Sequence, residues 1–301
     1  MSAALSIIRA GPLTSIQDEG RFGMLRHGIS ASGPMDGGAF AAAGRLAGGG
    51  NGGVEFTMTG LEVRLSSGPA RAGFAGGDFT VRHNGQAVGW PGSVALGAGD
   101  TLAITPGGWG NYGYLRFDAD LGAAPLMGSI ATSSRARLGG LDGRVLRAGD
   151  MIELIGRDGA VASATLAPTQ PAKGPIRIIW GLHADLFPAA LRQLFVTSGF
   201  AVSSRLDRMG VRLDDPGRIF ADAANLSLVS DAIVPGDIQI LGDGTPIVLM
   251  RDHQPTGGYA RIATVITVDL DRFAQLRPGS PVAFLPVTVE HALALLRSRG
   301  T

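Results

Sequence analysis

Hydrophobic and polar positions alternate in short runs over most of the chain, and long amphipathic helical periods are scarce. Between residues 60 and 155 the runs LEVRLSS, DFTVRHNGQAV, SVALGAGDTLAIT, YGYLRFDAD and RVLRAGDMIELIG show partial two-residue alternation, the period of a half-buried strand. Gly, Pro, Asn and Asp bound these runs at spacings that predict a barrel or sandwich. His83-Asn84-Gly85 predicts a type I′ hairpin, because Asn-Gly accepts positive φ at both turn positions. Beyond residue 175, strands are predicted over IRIIW, FAVSS, LSLVSDAIV, GDIQIL, PIVLMRD, ARIATVITVDLD and VAFLPVT. Three segments carry helical pattern: 36–47 with Asp36 as N-cap, 184–197, and the C-terminal VEHALALLRSR. GGGNGGVEF follows a helical pattern rather than a strand, so it predicts a loop and not a dinucleotide fingerprint.

The stretch GRDGAVASATLAPTQPAKGP (156–175) has no apolar periodicity and is rich in Ala, Pro, Thr and Gly. It predicts a boundary near residue 170, dividing the chain into 1–170 and 171–301. Both parts read as mostly β with one or two short helices each. Ser32 with Asp36, and Ser203 with Asp207, have the same four-residue spacing near a Met, a faint echo between the two parts.

Composition narrows the class. With 47 glycines and 17 prolines in 301 residues, a long helical bundle is disfavoured. With 45% hydrophobic residues, whole-chain disorder is excluded. The net charge is +1 with no run of like charge, so neither a nucleic-acid stripe nor a membrane-surface patch is expected. Charged residues make up 17%, below the usual level of about 25%, which points to surface covered by a partner. The absence of cysteine removes thiol nucleophiles, disulfides and zinc–thiolate sites. The five histidines have no metal-ligand spacing, so no metal is expected. The one lysine, Lys173, lies in the linker-like stretch, and no GxxxxGK[ST] occurs. There is no apolar run of membrane-spanning length and no signal-peptide pattern, so a cytoplasmic setting is expected.

Four clusters place polar side chains densely among glycines. Gln17-Asp18-Glu19-Gly20-Arg21 offers either a turn salt bridge or a fixed charged pair for a ligand. Ser32-Gly33-Pro34-Met35-Asp36 reads as a turn leading into a helix cap, or as a loop against a ligand. The run Ser203 to Leu213 holds Arg205, Arg208 and Arg212 around Asp207, and guanidinium groups suit carboxylate or phosphate oxygens. It is equally a salt-bridged surface loop. Arg251-Asp252-His253-Gln254-Pro255-Thr256-Gly257-Gly258-Tyr259 follows the apolar run PIVLM. That is a layout for a binding loop at the end of a buried strand, or for a hairpin with Tyr packed beneath it. The residues alone identify no nucleophile.

Together the stretches SIQDEGRFG, GISASGPMD, VSSRLDRMGVRL and GDIQILGDGTPIVLMRDHQPTGGYARIATVITVDLDRFAQLRPGSPVAF resemble the KipA family, the C-type subunits of 5-oxoprolinase. They are also similar to allophanate hydrolase subunit 2 and to the carboxyltransferase region of urea amidolyase and urea carboxylase. The resemblance covers essentially the whole chain and strengthens after residue 195. It implies a mostly β fold of two tandem cyclophilin-like β-barrel domains. It also implies a role in ATP-dependent hydrolysis of 5-oxoproline to glutamate, with ATP acting at the level of the complex. Two partners come with that role, a KipI-like B-type subunit and an A-type subunit of the lactam-utilisation kind. The urea-type relatives imply an alternative, a carboxyltransferase taking its carboxyl group from carboxybiotin. A regulatory, non-catalytic subunit is a third reading.

On this resemblance the catalytic set is Arg205, Asp207, Asp252 and Gln254, and the substrate lies in a cleft between the two domains. Arg205 and Arg208 would hold anionic oxygen with Asp207 orienting them. Asp252 and Gln254 would bond an amide, and Tyr259 would close the site. Ser204, Thr256, Gly257 and Gly258 would complete the substrate contacts, with Asp18, Arg21 and Asp36 lining or buttressing the first-half side. The sequence departs from the family pattern at three places. Ala43-Gly44-Arg45-Leu46 stands where an Ala-Asn pair precedes Leu. Tyr114 to Asp120 stands where Gly-Gly follows the strand. Thr132 to Arg137 replaces the usual serine–threonine pair.

Overall fold

The structure, a computed structural model, describes residues 2–156, 166, 173–221 and 227–299. Contacts divide the chain into a first unit, Met1–Met24 with Ala31–Pro171, and a second, Leu25–Ser30 with Ala172–Thr301. The boundary predicted near residue 170 falls among residues outside the described set.

The first unit contains twelve described strands: β1 (Ser2–Ala10), β2 (Ser15–Gln17), β3 (Gly53–Thr57), β4 (Leu61–Ser67), β5 (Ala70–Gly76), β6 (Phe79–His83), β7 (Gln86–Val88), β8 (Gly92–Leu96), β9 (Thr101–Pro106), β10 (Tyr112–Phe117), β11 (Ala119–Leu121) and β12 (Met151–Gly156). They form a seven-stranded sheet in the order β11-β12-β1-β4-β9-β6-β7 and a five-stranded sheet in the order β2-β3-β10-β5-β8. Alternation decides which face is buried. In β1, Ala3, Leu5 and Ile7 point inward, and in β4 Leu61, Val63 and Leu65 do the same. These residues join Val54, Phe56, Phe74 and Leu115 in one apolar core. Asn84 and Gly85 both have positive φ and turn β6 into β7, as Asn-Gly predicts. RVLRAGD forms turns instead of strand, because Asp150 accepts from the Arg147 N–H and the Arg144 guanidinium; β12 begins only at Met151.

Helix α1 (Gly37–Ala47) packs on β5 and β10 through Phe40, Ala43, Gly44, Leu46 and Ala47. Asp36 caps it, its Oδ1 accepting from the Ala39 N–H at 2.8 Å. Gly48, at φ 98, ends it in the left-handed conformation that glycine adopts without a Cβ clash.

The second unit adds β13 (Ile176–Trp180), β14 (Phe200–Leu206), β15 (Gly210–Asp214), β16 (Ser227–Ala232), β17 (Asp237–Ile240), β18 (Pro246–Leu249), β19 (Thr256–Tyr259), β20 (Arg261–Val265), β21 (Pro281–Val282) and β22 (Phe284–Pro286). Eight of them run in the order β21-β14-β15-β18-β17-β20-β13-β22. The two edge strands are separated by a single residue, Ala283, so the sheet nearly closes on itself. β16 and β19 form a separate two-stranded ribbon.

Pro188 divides the segment predicted as one helix over 184–197 into a 3₁₀ turn (Ala184–Leu186) and α2 (Ala189–Thr197). Phe195 of α2 is fully buried against Phe200, Phe220 and Phe284. The strand predicted across ARIATVITVDLD stops at Val265, and Thr267–Ala274 is helix α3. Leu270, Phe273 and Ala274 are buried at helical spacing. Asp269 in the first turn of α3 accepts from the Arg177 backbone N–H and guanidinium and from Arg272. Helix α4 (Val289–Arg299) lies where VEHALALLRSR predicts it. The mostly β fold with a few short helices is thus the fold observed.

Candidate functional site

In the second unit, two of the four clusters meet. The Asp252 N–H donates to the Arg208 carbonyl at 2.7 Å, and the Met250 N–H to the Met209 carbonyl at 2.8 Å. This backbone ladder brings two side chains 44 residues apart into register. The Arg208 guanidinium grips the Asp252 carboxylate with both prongs, Nε to Oδ2 at 2.9 Å and Nη2 to Oδ1 at 3.2 Å, and both residues are buried. Bidentate pairing of this kind fixes orientation as well as charge. Asp207, expected to orient the arginines, does something else. Its Oδ1 accepts from the Met209 and Gly210 N–H groups, closing the turn between β14 and β15. A short acid next to a tight turn is captured by the nearest backbone donors, so the carboxylate that holds Arg208 is Asp252.

Arg205 and Ser204 are exposed. Arg205 borders two open clefts. One, of about 520 Å³, is also lined by Asp214, Asp215, Arg218 and Asp243. The other, of about 350 Å³, is also lined by Ser204, Asp207 and Arg212. Of the charged residues singled out in this unit, Arg205 has its guanidinium in reach of solvent and of an incoming anion.

The loop after β18 carries His253, Gln254 and the ribbon strand β19. His253 is buried, with Nδ1 2.5 Å from the Gln254 carbonyl oxygen. That nitrogen therefore carries the proton and donates. Burial pushes the His253 pKa below its ordinary value, outweighing the Gln254 carbonyl and the charges of Asp237 and Asp252. Gln254, Thr256 and Tyr259 are exposed, and Gly257 and Gly258 are half-buried in the ribbon. Beneath the ribbon, Asp237 accepts from Thr264 Oγ1 at 2.7 Å and faces Arg261, which also donates to the Ala232 carbonyl and to Asp231. The sequence reading missed Asp237, Gln239 and Arg261. Their signal was alternation, since Asp237 and Gln239 occupy every second position of GDIQIL and so share one face of β17.

In the first unit, Asp18 and Arg21 each bind backbone. Asp18 accepts from the Gly20 N–H, from Ser129 Oγ at 2.6 Å and from the Ile130 N–H at 2.7 Å. Arg21 is buried and donates to the Ala131 carbonyl at 2.5 Å. The loop around Asp18 interlocks with the loop around Ser32 through glycines of positive φ. A Cβ on Gly20 would lie 2.8 Å from the Ala31 carbonyl oxygen, and one on Gly33 would lie 2.9 Å from that of Glu19. Asp36 reaches a buried pair, Tyr114 and Glu55. Its N–H donates to the Tyr114 hydroxyl at 2.8 Å, and that hydroxyl donates to Glu55 Oε2 at 2.9 Å. Burial, with the Glu55 and Asp36 charges, raises the Tyr114 pKa well above its ordinary value, so the phenol stays protonated.

Two of the sequence departures also meet here. Arg116 donates to the carbonyls of Gly52, Phe40 and Gly50, and its guanidinium stacks 4.1 Å from the Phe40 ring centre. A Cβ on Gly44 would lie 2.5 Å from Arg116 Nη1. Arginine at 116 and glycine at 44 are therefore one local solution, since the side chain missing from 44 is the space that the guanidinium fills.

Residues 27–286 match the family described as carboxyltransferase domain, subdomain A and B. The chain belongs to this family. It is 33% identical over 300 residues to the C-type subunit of 5-oxoprolinase from Escherichia coli, covering 96% of this chain and 93% of that protein. It is 30% identical to the corresponding 5-oxoprolinase subunit of Haemophilus influenzae, covering 97% of this chain and 94% of that protein. Among solved structures, K. lactis urea amidolyase superposes with a TM-score of 0.88 at 25% identity, over 99% of this chain but 19% of that one. The family resemblance read from the four motif stretches is thereby shown.

Proposed function

We propose that this chain is a C-type subunit of an ATP-dependent 5-oxoprolinase, hydrolysing 5-oxoproline to glutamate together with KipI-like and lactam-utilisation-type partners. The observation that carries this reading is the 33% and 30% identity to the two bacterial 5-oxoprolinase subunits over nearly their whole length. The bacterial 5-oxoprolinase subunits match it almost end to end, whereas it corresponds to about a fifth of the urea amidolyase. ATP enters only at the level of the complex. The chain has no GxxxxGK[ST], and Lys173, its single lysine, is exposed beside Gly174, so no phosphate cradle is assigned to it. On the second unit, Arg205 takes the substrate carboxylate. The buried Arg208–Asp252 pair holds the loop of Gln254 to Tyr259 in place, and the exposed side chains of that loop contact the lactam.

The test is reconstitution. The chain is co-expressed with its two proposed partners, and ATP hydrolysis is measured with and without 5-oxoproline. Turnover that depends on 5-oxoproline is expected. An Arg205→Ala complex should assemble normally yet lose turnover, with a raised KM. An assembled complex that hydrolyses no 5-oxoproline overturns the reading. The likeness to urea amidolyase over 99% of this chain supports a second reading, carboxyl transfer from carboxybiotin to urea. It is tested by adding a biotinylated carrier and measuring urea-dependent loss of carboxybiotin.

A further inference from the structure

Gln239 lies on β17 at the centre of the eight-stranded sheet and is 3% exposed. Its Nε2 is buried and has no hydrogen-bond partner among the described residues. A buried primary amide without a partner is costly in the free protein. Its neighbours on β17 and β20 are not in that state: Asp237 bonds Thr264, and Arg261 bonds Ala232 and Asp231. The charges around Gln239 are thus already matched, and the neutral amide is left over.

What faces this amide is a glycine. A Cβ on Gly257 would lie 2.7 Å from Gln239 Nε2 and 3.2 Å from Ile233 Cδ1, so any larger residue at 257 would press on the amide. Gly257 belongs to the β16–β19 ribbon, which forms no backbone ladder with a described strand of the eight-stranded sheet. The ribbon is tied to β20 through Arg261, which holds the Ala232 carbonyl and the Asp231 carboxylate, and Asp231 is itself largely exposed. Val229 on the ribbon is 92% exposed.

We propose that Gln239 is a substrate-binding residue that recognises an amide through its own carboxamide, in a small site beneath Gly257 that opens when the β16–β19 ribbon lifts. A primary carboxamide presents one acceptor and two donors in a plane. Its complement is a ligand whose C=O and N–H lie on the same side, as in a lactam or a urea. A carboxylate offers no donor to the Gln239 carbonyl and finds no unmatched cation at this point. The inference deepens the proposed function by assigning the lactam group, as distinct from the carboxylate held by Arg205, to a named residue. It rests on that reading for the choice of first ligand.

The experiment follows the Gln239 side-chain amide by ¹⁵N–¹H NMR in the intact chain, assigned through its own side-chain carbons. 5-Oxoproline, urea and acetate are titrated separately. Saturable shifts with 5-oxoproline and none with acetate are the expected result. Shifts with urea but not with 5-oxoproline keep Gln239 as the amide reader and overturn the 5-oxoproline reading. Equal shifts with acetate, or none with any of the three, overturn the proposal. Two variants give an independent readout. Gln239→Met removes the amide but keeps the volume, so it should unfold at a higher temperature than the parent while raising KM by about tenfold with kcat much less changed. Gly257→Ala should raise KM similarly by pressing on the amide. A Gln239→Met complex with unchanged KM for whichever substrate the parent turns over counts against the proposal.

Discussion

Asp18 and Arg21 are three residues apart and each binds backbone, whereas Arg208 and Asp252 are 44 apart and grip each other with two hydrogen bonds. The difference shows what each motif is for. In the first unit the acid and the base each bind backbone, at Gly20, Ile130 and Ala131, and Asp18 adds the Ser129 hydroxyl. They hold the segment around residue 130 against the strand β2. In the second unit the backbone ladder between residues 208–209 and 250–252 does the holding. Near the charged pair in sequence, Arg205, Gln254 and Tyr259 are exposed. One motif binds a loop; the other is flanked by exposed polar side chains.

The sharpest way to break this comparison is to remove Asp252. Asp252→Ala takes from the buried Arg208 guanidinium the carboxylate that it grips with both prongs, and should cost about 3–5 kcal/mol in urea denaturation. The double variant Arg208→Met with Asp252→Leu should cost far less, because the buried charge disappears with its partner. A single-variant cost below about 1 kcal/mol would show that the pair does not organise the loop. Next in size is Asp18→Ala, which strands the Ile130 and Gly20 N–H groups and the Ser129 hydroxyl. A loss of about 2 kcal/mol is expected, with the activity of the assembled complex retained under conditions where the chain stays folded. Loss of activity without loss of stability would move Asp18 from the structural side of the comparison to the functional one.

Much of the fold was legible because its signals are local. The I′ turn at Asn84-Gly85, the Asp36 cap and the Gly48 stop all follow from the residue at the position itself. The strand β1 was not read, because its Ala and Ser positions blunt the alternation of SAALSIIRA. The first part of the TVDLDRFA helix, TVDLD, was read as strand because β-branched residues run straight into it from β20, and its fixing contact, Asp269 with Arg177, spans 92 residues. The site shows the same limit. Arg205 and the Gln254–Tyr259 loop stood out as polar clusters. The pairing of Arg208 with Asp252 instead of Asp207, and the amide of Gln239 under Gly257, depend on strand register that no local pattern encodes. The Gly44–Arg116 fit was visible as two separate departures but not as one contact.

The smallest expected effect concerns His253, whose loop has no counterpart among the Asp18 and Arg21 contacts. Burial lowers the His253 pKa from its ordinary value of 6.5, so the folded chain prefers the neutral ring. Below that value the unfolded chain takes up a proton that the folded chain resists. Stability contributed by this group is therefore complete at neutral pH, and it declines as pH falls from about 6.5 towards the lowered folded value. Urea-unfolding free energies measured from pH 7.5 down to pH 5 should fall with a slope that is shallower in His253→Gln, where the group cannot titrate. The other four histidines and the carboxylates contribute equally to both proteins and cancel in the difference. Protonation also gives Nε2 a proton next to a loop already pinned by the Nδ1 bond to the Gln254 carbonyl, so the loop of Gln254 to Tyr259 should lose protection from hydrogen exchange over the same pH window. Parallel slopes for parent and variant would mean that His253 is no more buried in solution than an ordinary surface histidine.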